Sequence, residues 1–171
     1  GTWKGENLYN LYQKAYTPWK WQEDLKKEAE KIGIDFFSTP YENTAVDFLE
    51  DLGVDFFKVA SFSITNLPFL EYLAQKGKPI IMSTGMATLG EIEKAVKTIR
   101  KEGNDKIVLL YCNSSYPPKA EDIYLNNIKH LEETFSCPTG LSDHTLNSTS
   151  AINGVALGAK VIEKHLCLSK E

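Results

Sequence analysis

Six short apolar runs, each separated from the next by a helix-period segment, constrain this chain more than any other feature. They are Asp35-Phe36-Phe37-Ser38, Phe56-Phe57-Lys58-Val59-Ala60, Pro79-Ile80-Ile81-Met82-Ser83, Ile107-Val108-Leu109-Leu110-Tyr111-Cys112, Pro138-Thr139-Gly140-Leu141 and Lys160-Val161-Ile162-Glu163. Each has the length of a strand, and their alternation with amphipathic stretches is the rhythm of βα units around a parallel sheet. The near-continuous apolarity of the runs predicts strands buried on both faces. Punctuation agrees with the rhythm. Thr17-Pro18 reads as a capping hydroxyl before a proline at the first helical position, with Gly33 closing that helix. Thr88 and Glu91 have the spacing of a capping box, and Gly103 ends the helix they open. Six strands, five intervening helices and a further helical segment at Thr17–Ile32 are therefore expected.

Two architectures fit this alternation. A doubly wound open sheet reverses its strand order and in its dinucleotide-binding form carries G-x-G-x-x-G after a strand. No such pattern follows any run here, and polar residues gather instead at the C-terminal end of every run. That distribution favours the mouth of a (β/α)8 barrel, where the chemistry of such folds sits. A closed barrel takes eight strands and typically about 250 residues. The 171 residues here predict an α/β fold that is a partial TIM barrel, six parallel strands of the eight. The chain opens without a methionine and stops just after its last run, so the expectation is one unit, residues 1–171, of an incomplete catalytic barrel.

Composition narrows the class of partner. The formal charge is −4 with no basic stripe, which argues against nucleic acid. No apolar run reaches the length of a membrane span and no signal peptide is evident. Cys112, Cys137 and Cys167 lack C-x-x-C spacing and fall in apolar runs, as reduced thiols of a cytoplasmic protein do.

The run ends carry the candidate chemistry. They supply Ser38 and Thr39; Lys58 and Ser61; Ser83, Thr84 and Gly85; Asn113, Ser114, Ser115 and Tyr116; Ser142, Asp143 and His144; and Glu163, Lys164 and His165. Hydroxyls that converge with a lysine make an anion site, because neutral donors and one cation together solvate a phosphate or carboxylate. Lys58 alternates with Phe57 and Val59, and a lysine inside a strand is rarely left without a partner. Two of the three histidines close neighbouring runs beside Asp143 and Glu163, an arrangement open to either acid–base work or a divalent metal. Asp143 has a plainer reading as the residue that orients the following turn. The aromatic stretch Tyr12, Tyr16, Trp19 and Trp21 reads first as helix packing and second as a wall for a sugar's C–H face.

Together these residues resemble the N-acetylneuraminate synthase family. The resemblance lies in Phe57-Lys58-Val59-Ala60-Ser61, in the stretch from Lys78 to Thr88, in Ser115-Tyr116-Pro117, in Gly140-Leu141-Ser142-Asp143-His144-Thr145, and in the stretch from Ala156 to His165. The opening segment from Leu11 to Trp21 is most similar to the pseudaminic acid synthase branch. The resemblance implies a transferase on a (β/α)8 barrel that condenses phosphoenolpyruvate with an acetamido sugar aldehyde, releasing phosphate and a nonulosonic acid. It implies that His144 and His165 hold a divalent metal, Mn2+ or Mg2+. Thr39, Lys58, Ser61, Ser83 and Ser142 would line the phosphoenolpyruvate pocket, while Lys58, Glu163 and Tyr116 take part in the chemistry. A homodimer is expected of the full-length protein. Two positions depart from the family pattern: Ser63 stands where a carboxylate is usual, and Ser114 where some members have asparagine. The family's first two strands would lie upstream of Gly1, so the 171 residues alone are not expected to turn over. The remaining alternatives are N-acetylneuraminate synthesis from N-acetylmannosamine, or a silent anion- or sugar-binding barrel.

Overall fold

The computed structural model describes residue 5 and residues 7–169. The chain divides into two compact units, Gly1–Phe36 and Phe37–Glu171. In the first, helix α1 (Leu8–Ala15) is capped by Asn7, whose side chain accepts from Tyr9 N at 2.8 Å. Tyr12 lies within α1, but Tyr16 is already extended at its end. Helix α2 (Trp19–Ile32) follows. Its N-cap is Pro18 itself, with no side-chain bond, so the cap expected from Thr17 does not form. Gly33 closes α2 as expected, in the left-handed conformation, its N–H reaching the carbonyls of Ala29 and Glu30.

The second unit is built of βα repeats. Its elements are α3 (Asn43–Asp51), β1 (Phe57–Val59), α4 (Leu67–Gln75), β2 (Ile80–Ser83), α5 (Leu89–Lys101), β3 (Ile107–Cys112), α6 (Asn126–Phe135), β4 (Thr139–Asp143), α7 (Thr149–Ala156) and β5 (Val161–Lys164). The capping box of α5 is complete, Thr88 and Glu91 each bonding the other's backbone N–H. All neighbouring strands run parallel, in the order β1-β2-β3-β4-β5. No strand order reverses, which excludes the doubly wound alternative.

Among the described residues there are five strands, not six. The first expected strand, Asp35–Ser38, is part of a segment over residues 34–41 that is neither helix nor strand and joins no ladder among the described residues. Its apolarity serves packing instead. The Phe37 ring lies 4.4 Å from that of Phe56.

The sheet's two faces are unequal. Side chains alternate along a strand, and one set (Phe57, Val59, Ile80, Met82, Ile107, Leu109 and Leu141) is fully buried. Helix α6 packs on β3 and β4, and α7 on β4 and β5, joining Ile128, Leu141 and Ala159 into one cluster. Each buried Val, Leu, Ile, Phe or Met on this face contributes about 1.5–3 kcal/mol by leaving water. Burial on this face thins toward Tyr111 and Ile162, and on the other face Leu110 is fully buried but Ile81, Val108 and Val161 are only half-buried. The expected burial of both faces thus holds for the middle of the sheet and not throughout.

That second face is concave. Five strands spaced about 4.8 Å apart in a flat sheet would put the outermost pair about 19 Å from each other. Here the Lys58 ammonium of β1 comes within 3.5 Å of the Glu163 carboxylate of β5. The sheet curls as a half-barrel and brings the side chains of its edges together over β3. Gly140 permits the tight passage of β4 beside β5, since a Cβ there would sit 2.2 Å from the Val161 carbonyl oxygen.

Candidate active site

The period of two along each strand decides which polar residues enter the concavity. Register pairs Cys112 with Ser142 and Ser142 with Glu163, so these three stand in one row across β3, β4 and β5. Lys58 and Ser83 enter from β1 and β2. Lys58 is 6% exposed. Its ammonium donates to Ser83 Oγ at 2.8 Å and to the Val59 carbonyl at 3.0 Å, and it pairs with Glu163. Burial lowers the Lys58 pKa from the ordinary lysine value, and the Glu163 charge opposes that shift. Ser142 Oγ donates to the other oxygen of Glu163. One carboxylate thus bridges a buried cation and a buried hydroxyl.

The histidines stand beside this bridge. His144 Nδ1 lies 2.7 Å from the Asn113 carbonyl, which can only accept. The proton therefore sits on Nδ1, and the Nε2 lone pair, 3.4 Å from Ser142 Oγ, is left available. The rings of His144 and His165 are 5.2 Å apart, centre to centre. Tyr116 stacks on His144 at 4.2 Å and meets His165 edge-on at 5.5 Å, so one phenol ring positions both imidazoles. Burial raises the Tyr116 pKa, and the charges of Cys112, Glu163 and Tyr41 raise it further, which keeps the phenol protonated.

A second group of small polar side chains closes the floor. Ser61 Oγ donates to Cys112 Sγ at 3.8 Å, and Ser114 Oγ lies 3.7 Å from the same sulfur. Gly85 passes directly beneath them. A Cβ at Gly85 would stand 2.3 Å from Ser114 Oγ and 3.0 Å from both Ser61 Oγ and Cys112 Sγ, so only glycine lets the three gather. Burial pushes the Cys112 thiol pKa up, but bonds from His144, Ser114 and Ser61 outweigh it and leave the net shift downward. The Cys112 contact in turn raises the pKa of His144, against its burial.

Of the residues singled out from sequence, Lys58, Ser61, Ser83, Tyr116, Ser142, His144, Glu163 and His165 converge on this concavity. Thr39 does not join them by any hydrogen bond among the described residues; it is half-buried on the irregular segment over residues 34–41. Asp143 and Lys164 face the other way. Asp143 accepts from Thr145 N at 2.9 Å and from Lys164 Nζ at 2.7 Å, and so holds the turn that carries His144. Thr84 donates to the Leu110 carbonyl rather than capping a helix. Cys112 is the participant that residue-type reasoning missed. Gly85 and Asn113 stand among the run-end residues, but not for the space the one leaves or the backbone carbonyl the other supplies. Only the register of Cys112 with Ser142 could have found the thiol, and a backbone carbonyl leaves no trace in sequence.

The donor chemistry bears on a metal. Two imidazoles, one with its tautomer fixed by a backbone carbonyl, suit a borderline divalent ion and match the usual outer support of a metal-bound histidine. Among the described residues no group of three or more His, Cys, Asp or Glu is arranged to hold an ion. The pair fits as part of a donor set, with other ligands needed to complete it.

Comparison with known proteins gives this arrangement its context. The pseudaminic acid synthase of Helicobacter pylori is 44% identical over 168 residues, covering 98% of this chain and 49% of that protein. Human N-acetylneuraminate-9-phosphate synthase is 39% identical over 148 residues, covering 86% of this chain and 41% of that one. The chain thus spans about half the length of such relatives, or less. The crystal structure of the N-acetylneuraminic acid synthetase of Leptospira borgpetersenii, in complex with citrate, superposes with a TM-score of 0.90 at 36% identity, covering 97% of this chain and 59% of that one. The sequence model of the NeuB family matches residues 1–171, and the chain belongs to that family.

Proposed function

We propose that the protein carrying this chain condenses phosphoenolpyruvate with an acetamido sugar aldehyde to give a nine-carbon nonulosonic acid and phosphate, on a complete (β/α)8 barrel. One observation carries the reading: a buried lysine, a carboxylate and two serines meet across the concavity, next to two imidazoles. Lys58, Ser83 and the Ser61–Ser114 group suit an anion that must be held while it leaves. A cation and neutral donors fixed before the reaction stabilise departing phosphate at no reorganisation cost.

The bond changes assign work to each group. C3 of phosphoenolpyruvate attacks the aldehyde carbon, forming the new C–C bond and leaving positive charge at C2. Water adds at C2, its proton passing to a carboxylate oxygen of Glu163. The proton taken by Glu163 completes the hydroxyl at the former aldehyde oxygen. Loss of phosphate from C2, which carries off the C2 hydroxyl proton, breaks the C–O bond and leaves the 2-keto acid. Ser142 holds the other Glu163 oxygen and so orients the base, and Tyr116 keeps the imidazoles in place. A divalent ion, Mn2+ or Mg2+, held by His144 Nε2 and His165 with further ligands, would supply Lewis acidity toward the aldehyde oxygen.

The acceptor we favour is a 2,4-diacetamido-2,4,6-trideoxy sugar, on the resemblance to the pseudaminic acid branch. The complete protein should release phosphate from phosphoenolpyruvate in the presence of Mn2+ and this sugar, and more slowly with N-acetylmannosamine. Faster release with N-acetylmannosamine would assign sialic acid synthesis instead. No release with either sugar would leave an anion-binding barrel without turnover, with Ser63 the first position to restore to a carboxylate.

A further inference from the structure

The longest link of the second unit, residues 113–125 between β3 and α6, carries Tyr116 and supplies the carbonyl that holds His144. Its one regular piece is the 3-10 turn Ala120–Asp122. A link of this length moves more than the strands it joins unless its two halves are tied together.

The tie is a single side chain. Asn113 Oδ1 accepts from Ser115 N at 2.9 Å, and Asn113 Nδ2 donates to the Asp122 carbonyl at 3.0 Å. These partners settle which way the amide points, since a backbone N–H only donates and a carbonyl only accepts. The first bond is an Asx turn that directs the chain as it leaves β3. The second spans nine residues and joins the start of the link to its 3-10 turn. The main chain of the same residue faces the site. The Asn113 carbonyl accepts the Nδ1 proton of His144 at 2.7 Å, and Tyr116, one residue past the Asx turn, lies against both His144 and His165.

We infer that Asn113 is a positioning residue: its side chain ties the link so that its own carbonyl stays on His144 Nδ1 and the Tyr116 ring stays across both imidazoles. The inference rests on the metal reading of the two histidines above and deepens it. A histidine whose Nδ1 partner drifts can move its proton to Nε2, and the lone pair that a metal needs is then gone. Both ends of one amide are used, so the requirement is for asparagine. Aspartate keeps the acceptor for Ser115 N but sets an oxygen against the Asp122 carbonyl, and alanine keeps neither bond. The backbone carbonyl at position 113 survives both substitutions, so a change at His144 has to come through the position of the link. Tyr111 ties the far end of the link separately, its hydroxyl accepting from Tyr124 N at 3.1 Å.

The test uses the complete protein, with Mn2+ as the probe. Asn113→Ala should raise the Kd for Mn2+ about 10–100-fold, the usual loss when the outer support of a metal-bound histidine is removed. The KM for phosphoenolpyruvate at saturating Mn2+ should stay near that of wild type. Independently of metal and turnover, nitrogen NMR of metal-free protein with isotope-labelled histidine should show neutral His144 protonated at Nδ1 in wild type. The same ring should exchange between tautomers in Asn113→Ala. Tyr111→Phe removes the other tie and should leave both the Kd and the tautomer unchanged. Asn113→Asp, which loses only the bond to Asp122, should show the alanine effects in part, and it decides the matter if the alanine variant melts below wild type. A fixed tautomer and an unchanged Kd in the Asn113 variants would overturn the inference. An effect of Tyr111→Phe as large as that of Asn113→Ala would overturn it too, because any loosening of the link would then suffice. Wild type that neither binds Mn2+ nor releases phosphate would remove the condensation reading, and the tautomer alone would then decide the role of Asn113.

Discussion

Lys58 and Lys164 each leave a strand and each meet a carboxylate, but on opposite faces of one sheet and to opposite ends. Lys58 is buried in the concavity, its charge disfavoured by desolvation, with Glu163 at 3.5 Å and half-buried itself. Lys164 is 29% exposed and holds Asp143, 1% exposed, at 2.7 Å. The first pair keeps a cation under strain and leaves its carboxylate reachable. The second shields a buried carboxylate with a cation that stays in water. Neighbouring residues of β5, Glu163 and Lys164, serve the two arrangements because consecutive side chains point to opposite faces. Chemistry is built where the charge is uncomfortable, and structure where it is satisfied.

Replacing each lysine by methionine breaks the comparison most directly. Lys58→Met should cut phosphate release by about 10²–10³-fold, the usual loss when one prepared electrostatic contact is removed. Its effect on melting should be slight, because Glu163 keeps Ser142 as a donor and contact with water. Lys164→Met should do the reverse. It leaves the Asp143 carboxylate buried with Thr145 N as its remaining partner, at a cost of about 1–3 kcal/mol, while turnover per folded molecule is retained. Kinetics and urea unfolding of both variants decide the matter. Equal losses of stability and activity in the two would show that the faces do not divide labour in this way.

Much of this division was legible in the sequence, and the part that was not has a physical cause. Five of the six expected strands formed, β3 with the bounds read from its apolar run, because a run of strand length between helix signals has few other uses. Asp35–Ser38 has the same apolarity but no ladder partner among the described residues, and a lone run cannot distinguish a strand from an irregular segment whose Phe37 ring meets that of Phe56. The polar residues at the strand ends identified the concavity, since period two sorts them once the strands are known. The plainer reading of Asp143, as the residue that orients the following turn, agrees with the bond it accepts from Thr145 N. The register, which sends Asp143 and Glu163 to opposite faces, gives the reason. Gly85 stands among the run-end residues, but its value lies in the space it leaves for Ser61, Cys112 and Ser114, which come from two other segments and which no single run reveals.

Thr139 sharpens the comparison on the packed face. It shares that face with Leu141 and Asp143, is fully buried, and its hydroxyl has no hydrogen-bond partner. If this face works through burial alone, valine should be better there, having nearly the same shape without the unsatisfied oxygen. Thr139→Val is expected to stabilise the protein by about 1 kcal/mol, read as a higher urea midpoint at unchanged slope, with turnover unaffected. A destabilised variant would mean that the hydroxyl has a role on this face after all.

A third lysine–carboxylate group, away from both faces, gives the smallest effect and serves as the reference. Lys76, at the C-cap of α4, reaches Asp47 at 2.8 Å and Glu50 at 2.6 Å on α3, and Tyr72 donates to Asp47 at 2.6 Å. The bond from Lys76, and then that from Tyr72, lowers the Asp47 pKa from its usual value. A carboxylate whose pKa is lower in the folded chain stabilises the fold fully above its unfolded value, near 3.9, and loses that contribution as pH falls through the folded value. The group is open to solvent, so the contribution is screened and small. Asp47→Asn should therefore lower the melting temperature slightly at pH 7, by less than Lys164→Met does. The difference from wild type should shrink as pH is lowered below about 3.9, and also in high salt. Melting curves of both proteins across that range test it. A difference that persisted undiminished in acid and in salt would assign the group to packing, and would leave the Lys164–Asp143 pair without a surface counterpart against which its burial can be judged.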